Sequence, residues 1–521
     1  MAACHTDSAA GTERCDNHHR ARNRNVSWKS EDLFCHELAT RPQPGIGRIL
    51  VTGATGYIGG RLVPELLARG YRVRVMVRAA SQEHAERWPD AEMVVADAHD
   101  LDDLSRAMEG CSTAYFLIHS LLLGPENFES ADLRTASNFR KAAEEQGVRR
   151  LIYLGALGDA RTPLSPHLRS RIRVAQELQA GKVPATILRA AVIIGSGSAS
   201  YELIRHVIKN SPVILLPPWA KTRCQPIGIR DVIKTLVGVL EIPETAGKSF
   251  DIGGSEIVSY EMMLRSLANM LGKKRLFIPG PFSGIGFYAY IASLLTPVPA
   301  PIAWSLMAGT TDTVVCENND IDEYLSFRRL AYKDAVLRAM SREERDDVRT
   351  RWSDAYPPTH ELAMKLRELE RPPQYTSTYS LDSEKPASDL FRSFCRVGGK
   401  EGWFHSNFMW RLAEIPDQLL MGVGMSRGRR SSSSLRINDV IDFWRVEDLQ
   451  QDEMLLLRSE MKLPGRAWLE FRVAPTTDKN RLSVTTYFDP RGLAGKAHWY
   501  IFVPFHHFIF VNLIRQIEKR S

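Results

Sequence analysis

Arg48-Ile-Leu-Val-Thr-Gly-Ala-Thr-Gly-Tyr-Ile-Gly-Gly-Arg-Leu62 is the stretch whose reading decides the fold. An apolar β-type run, 49–51, turns on Gly53, and Gly56 and Gly59 follow at three-residue intervals. Leu62, Leu66 and Leu67 then recur with helical spacing until Gly70 stops the segment. A strand that turns through glycines into a helix N-terminus points backbone N–H groups and the positive end of a helix dipole at an anion. Gly53 allows the tight turn, Gly56 lets a pyrophosphate approach the backbone, and Gly59 lets helix and strand close together. Glycine-rich turns without a ligand are common, so it is the flanking strand and helix that imply dinucleotide binding.

Outward from this loop the chain alternates. Residues 71–77, 92–96, 113–118, 150–154 and 185–188 read as strands, and 101–108, 127–146 and 168–179 as helices between them. Strands at this spacing with helical crossovers predict a parallel, doubly wound sheet, whose ligands sit beyond the carboxyl ends of the strands. Arg78 closes the second strand, where an acid would bind a ribose 2′-hydroxyl and an arginine suits a 2′-phosphate; NADP is favoured over NAD. Asp97 ends the third strand and either meets the adenine or caps the helix from Leu101. His119 ends the fourth, near the expected nicotinamide, as a proton donor or as a structural histidine.

Composition narrows the classes. At 521 residues, two or three domains are expected. A net charge of +7 is too mild to argue for nucleic acid. The seven cysteines are scattered and form no C-x-x-C pair, which predicts neither a disulfide framework nor a metal site, and a cytoplasmic setting. No signal-peptide core is visible in the first forty residues. The apolar run 285–295 is too short to span a bilayer, so no transmembrane segment is expected, with a peripheral membrane contact left open.

The run Val51-Thr-Gly-Ala-Thr-Gly-Tyr-Ile-Gly-Gly60 resembles atypical and extended short-chain dehydrogenases/reductases, particularly the NmrA-like, NAD(P)H-binding group. Gly147-Val-Arg-Arg-Leu-Ile-Tyr-Leu-Gly155 and Thr186-Ile-Leu-Arg-Ala-Ala-Val-Ile-Ile-Gly195 look like that family's fifth and sixth strands. The resemblance covers roughly residues 48–275 and implies a Rossmann-type domain. The cofactor site expected from it and from the loop comprises Gly53, Thr55, Gly56, Tyr57, Ile58, Gly59, Arg78, Asp97 and Ala98. Active members of the family use a Tyr-x-x-x-Lys pair after the fifth strand. Here the matching frame is His167-Leu-Arg-Ser-Arg171, so the hydroxyl acid is missing. His167 and His119 become the candidate proton carriers and Arg171 the candidate ribose holder; a solvated helix face is the alternative for His167 and Arg171.

The last region changes character. β-type runs at 441–446, 454–461, 467–473 and 481–488 precede a helix-like segment, 504–518, rich in aromatics. It resembles the uncharacterised DUF2867-type domain often fused to such reductases, through segments such as Val397-Gly-Gly-Lys-Glu-Gly-Trp-Phe404 and Leu463-Pro-Gly-Arg-Ala-Trp-Leu469. That likeness implies an α+β helix-grip, START-like cup with an apolar interior. Arg427-Gly-Arg-Arg430 reads as a basic loop, mobile or holding an acidic head group, and Trp410, Trp444, Trp468 and Trp499 read as core.

The expected organisation is a disordered leader (1–46), an NAD(P)-binding domain (47–275), a helical extension and linker (276–378) and the helix-grip domain (379–521). Within the extension, 341–351 reads as a solvated helix. The reading is an NADP-dependent oxidoreductase acting on an apolar carbonyl or alcohol. The rival is a non-catalytic, NmrA-like sensor of NADPH, which the missing Tyr-x-x-x-Lys favours.

Overall fold

The computed structural model describes residues 33–78, 82–119, 128–158, 164–345, 347–355, 364–399, 401–404, 427–431 and 434–521; Trp410 and the cysteines and histidines before residue 33 lie outside these. Seven strands form the first sheet: β1 (Arg48–Val51), β2 (Arg72–Val77), β3 (Glu92–Val95), β4 (Cys111–Phe116), β5 (Arg150–Ala156), β6 (Ala185–Ala190) and β7 (Ser249–Ile252). Their order is β7-β6-β5-β4-β1-β2-β3, and every pairing is parallel. This is the Rossmann-type doubly wound arrangement. Helices α1 (Gly59–Ala68), α2 (Gln82–Arg87), α3 (Leu101–Met108), α4 (Phe128–Glu145) and α5 (Pro166–Gln179) connect the first six strands. Ile49 and Val51 bury into the core on one side of the sheet, and Leu50 into the core on the other. Burial on both faces is why these strands read as continuous apolar runs. Strand order reverses between β1 and β4, which opens the crevice where a ligand is expected.

Part of the expected disordered leader is ordered. The backbone N–H groups of Phe34 and Cys35 each donate to the Glu65 carboxylate at 3.0 Å, and Leu38 is buried. Glu65 lies inside α1, and an acid buried there needs donors that its own helix cannot supply.

The extension is likewise woven into the first domain. Leu276–Pro279 pairs in parallel with Val213–Leu216. The helix Tyr332–Glu344 ends before the charged run does, and 347–351 is not part of the solvated helix expected over 341–351. Thr350 has no exposed surface; its carbonyl accepts from Arg61 at 3.2 Å, and its hydroxyl donates to the Tyr57 carbonyl at 3.1 Å. A helix would use those backbone carbonyls internally, whereas an extended strap offers them to a buried guanidinium. The expected linker also shortens, because an edge strand begins at Tyr375.

That edge strand, β8 (Tyr375–Ser383), joins β9 (Val440–Ile441), β10 (Trp444–Gln450), β11 (Met454–Ser459), β12 (Gly465–Pro475) and β13 (Asn480–Pro490) in a second sheet, antiparallel throughout, with order β8-β13-β12-β11-β10-β9. The C-terminal helix Gly492–Arg520 packs on it through Ile509, Leu513, Ile514 and Ile517. It runs straight through Pro504, where the sequence suggested a helix start. Trp444, Trp468 and Trp499 are core residues. Arg427-Gly-Arg-Arg430 is neither a mobile loop nor a head-group cradle. Arg427 pairs with Glu460 at 2.7 Å and Arg430 with Asp439 at 2.7 Å, all four buried.

Candidate active site

The glycine loop leaves β1 with Thr52 anchored twice, its N–H (3.1 Å) and hydroxyl (2.8 Å) both donating to the Tyr115 carbonyl of β4. Gly53 follows at φ +66°, and a Cβ there would sit 2.6 Å from the Leu117 carbonyl oxygen. At Gly59 a Cβ would sit 2.4 Å from the Gly53 carbonyl oxygen, so α1 can start only where it does because this residue has no side chain. Gly56 is less confined, its nearest neighbour for a Cβ being the Gly53 carbonyl oxygen at 3.2 Å. Thr55, Tyr57 and Ile58 complete the turn and are half-buried. The Tyr57 ring is turned toward Gly195 and lies 4.2 Å beneath the Arg61 guanidinium, so any phosphate contact from Tyr57 belongs to its backbone. These residues suit a dinucleotide: a close-approach turn, a helix N-terminus and, at the end of β2, Arg78.

Arg78 keeps part of its surface open, yet partial burial depresses its pKa, opposed by Asp97 and assisted by Arg445 of the C-terminal domain. Asp97 is exposed, and it is not the helix cap. Asp100 caps α3 by accepting from the Asp103 N–H at 3.0 Å, while Asp97 accepts from His99 N–H. Ala98 is buried beside it.

The proton-handling candidates come together. His119 lies beyond β4, His167 on the first turn of α5, and their rings are 5.2 Å apart between centroids. Arg171, one turn after His167, lies 4.9 Å over the Tyr153 ring and donates to the Leu154 carbonyl of β5. It therefore faces the sheet, not solvent. Burial lowers the pKa of both histidines, that of His167 well below the ordinary value, and the nearby Arg171 charge pushes the same way. Both imidazoles are consequently neutral at pH 7.

The sequence reading missed Asp132. It sits on α4, 3% exposed, with its Oδ2 3.0 Å from His119 Nδ1 and 3.5 Å from the Ser170 hydroxyl. A carboxylate only accepts, so Nδ1 of neutral His119 carries the proton and Nε2 keeps its lone pair. Among the described residues Nε2 has no hydrogen-bond partner. The arrangement is a base held in one tautomer by an acid behind it. Asp132's place on the sheet-facing side of α4, among Ala131, Thr135, Ala136 and Phe139, was the available signal. Beyond the carboxyl ends of β5 and β6 lies a cavity of about 390 Å³, bordered by Leu157, Leu164, Thr311 and the ion pair of Arg189 with Asp251 at 2.6 Å.

Ser198 caps the next helix by accepting from Tyr201 N–H, Ser196 lends its carbonyl to Arg61, and Asp231 accepts from Leu330 N–H; none faces the histidines.

Comparison with known proteins assigns the two domains. Residues 53–209 match a family described as NAD(P)H-binding, and residues 370–513 match one described as a protein of unknown function, DUF2867. The chain joins an NAD(P)H-binding domain to a DUF2867 domain. The NAD(P)H-binding domain has short-chain dehydrogenase/reductase-like relatives. Mitochondrial NADH dehydrogenase (ubiquinone) 1 alpha subcomplex subunit 9 of Arabidopsis thaliana is 26% identical over 51% of this chain and 71% of its own. Ceramide reductase of Caulobacter vibrioides is 27% identical over 51% of this chain and 80% of its own. Among solved structures, the triphenylmethane reductase of Citrobacter sp. complexed with NADP(H) shares 19% identity, covers 56% of this chain and 99% of its own, and has a TM-score of 0.47. The DUF2867 domain lies outside the NAD(P)H-binding match and forms the second, antiparallel sheet.

Proposed function

We propose that this protein is an NADP-dependent oxidoreductase in which His119, oriented by Asp132, moves the substrate proton. The observation that carries this reading is the His119–Asp132 pair at the carboxyl end of β4, with His167 and Arg171 beside it. The bound nucleotide supplies hydride transfer; the glycine loop and Arg78 hold it. Once a substrate hydroxyl reaches Nε2, which is buried in this structure, neutral His119 accepts its proton there, or returns one to a carbonyl oxygen. Asp132 fixes the tautomer and stabilises the imidazolium while it exists. Arg171 keeps cationic charge near the histidines, which returns the proton readily. The cavity is lined by Leu157, Leu164 and Val315 together with Arg189, Asp251, Asp312 and Glu317, which supports a carbonyl or alcohol substrate that carries both apolar and polar groups.

Fluorescence titration with NADPH and NADH tests the cofactor assignment. A tenfold preference for NADPH, about 1.4 kcal/mol, should vanish in Arg78→Asp. Turnover of apolar carbonyls that survives in His119→Gln would sink the proton assignment.

A second reading, a nucleotide-responsive regulator, draws on the strap 349–354. It bonds the glycine loop on one side, and on the other its Ser353 carbonyl accepts from Arg445 of the DUF2867 domain at 2.9 Å. If NADPH binds and protects the DUF2867 domain from proteolysis while no substrate turns over, this reading replaces the first.

A further inference from the structure

The C-terminal helix is held to the sheet by Gly495 and Trp499 in its first half and by a buried apolar seam of Ile509, Phe510, Leu513, Ile514 and Ile517 in its second. Its outer face changes character half-way. Past Phe510 the exposed positions are Asn512, Arg515, Lys519 and Arg520, an ordinary choice for water. Before it, Leu493, Tyr500, Ile501, Phe505 and Phe508 are 84%, 67%, 61%, 49% and 63% exposed. Their spacing, with exposed Ala497 and Pro504 between them, places them on one stripe about four turns long. Proteins in water rarely leave so many large apolar side chains contiguous.

By length and composition this helix is apolar enough to cross a membrane. Its inner seam, however, is committed to the sheet. Only the outer face of 493–508 is available, and at 1.5 Å per residue it extends about 22 Å, short of the roughly 30 Å hydrocarbon core. A stripe of that kind lies on a bilayer and does not span it. Charge selects the lipid: between Asp489 and Glu518 there is no acidic residue, while Arg491, Lys496 and Arg515 are basic. Exposed Lys496 sits one turn from Tyr500. Aromatic side chains flanked by lysine and arginine match the interface of an anionic leaflet.

We propose that the outer face of residues 493–508 docks this protein on the surface of an anionic lipid bilayer. Sedimentation of the full chain with phosphatidylcholine vesicles, and with vesicles that also contain phosphatidylglycerol, tests it. Binding to the mixed vesicles alone, reversed by salt, is expected. The triple variant Tyr500→Ser, Ile501→Ser, Phe508→Ser should lower partitioning at least about tenfold without moving the thermal midpoint. Lys496→Glu gives an independent reading should the triple variant misfold, with an expected loss of about fivefold. No binding to either vesicle, or equal binding to both, overturns the proposal. So does a solution dimer that the triple variant dissociates without any vesicle binding, which would make a second copy the occupant.

Discussion

His119 Nδ1 and Asp132 Oδ2 stand 3.0 Å apart beyond the carboxyl end of β4, on a loop and a helix separated by residues outside the described set. His167, whose ring lies 5.2 Å from that of His119, stands in the frame where the short-chain dehydrogenase/reductase resemblance leads one to expect a tyrosine. Asp132→Asn keeps the size of the side chain but ends the acceptor-only constraint on Nδ1. Turnover should fall by about 100-fold or more, with NADPH affinity unchanged. Steady-state kinetics beside fluorescence titration measure both, and equal loss of binding would mean that Asp132 is structural.

Acid should destabilise the fold. Burial lowers the folded-state pKa of His119 and His167 below their ordinary 6.5, and that of His506 to about 4. As the unfolded histidines bind more protons in this window, their contribution to stability rises with pH from about 4 to about 6.5, whereas Glu343, whose carboxyl burial raises to about 7, contributes with the opposite sign between about 4.5 and 7. The slope from each such histidine is at most about 1.4 kcal/mol per pH unit. Urea melts across this range measure it, and His506→Phe should make the slope shallower.

Gly59 and Gly56 should separate folding from binding. Gly59→Ala forces a methyl against the Gly53 carbonyl at 2.4 Å and should cost about 1–3 kcal/mol of stability. Gly56→Ala meets only a 3.2 Å contact, so its melting point should hold while NADPH affinity drops by about tenfold or more. Calorimetry and titration on both variants check the contrast.

Glu460 is the buried acid on which Arg427 and Arg445 converge, at 2.7 Å and 2.5 Å. These arginines hold its carboxyl down at about 2, against burial, which opposes ionisation. Its contribution is complete above the unfolded value of about 4.5 and is lost as pH falls toward 2. Glu460→Gln strands two buried cations and should destabilise the protein by about 3–5 kcal/mol, read from chemical denaturation.

Much of the first domain was legible because its signals are local. The β2, α3 and α5 segments were read to within two residues, since strand runs buried on both faces and capped helices announce themselves in a few neighbouring residues. The strand β8 was not, because an edge strand alternating Tyr375, Ser377, Tyr379 and Leu381 with polar residues looks like a linker until β13 pairs with it.

By itself the sequence determined the alternation of strands and helices over most of the first domain, the glycine turn at Gly53 to Gly59, the arginine after β2 and the absence of tyrosine and lysine at His167 and Arg171. Only tertiary structure decided that Asp132 stands behind His119, that Thr350 threads onto the glycine loop and that the basic residues of 427–430 spend their charge on buried acids. The physical reason is the same in each case. A turn or a helical period is set by residues a few positions apart, whereas the ionisation and orientation of a buried group depend on partners that only folding brings within about 3 Å.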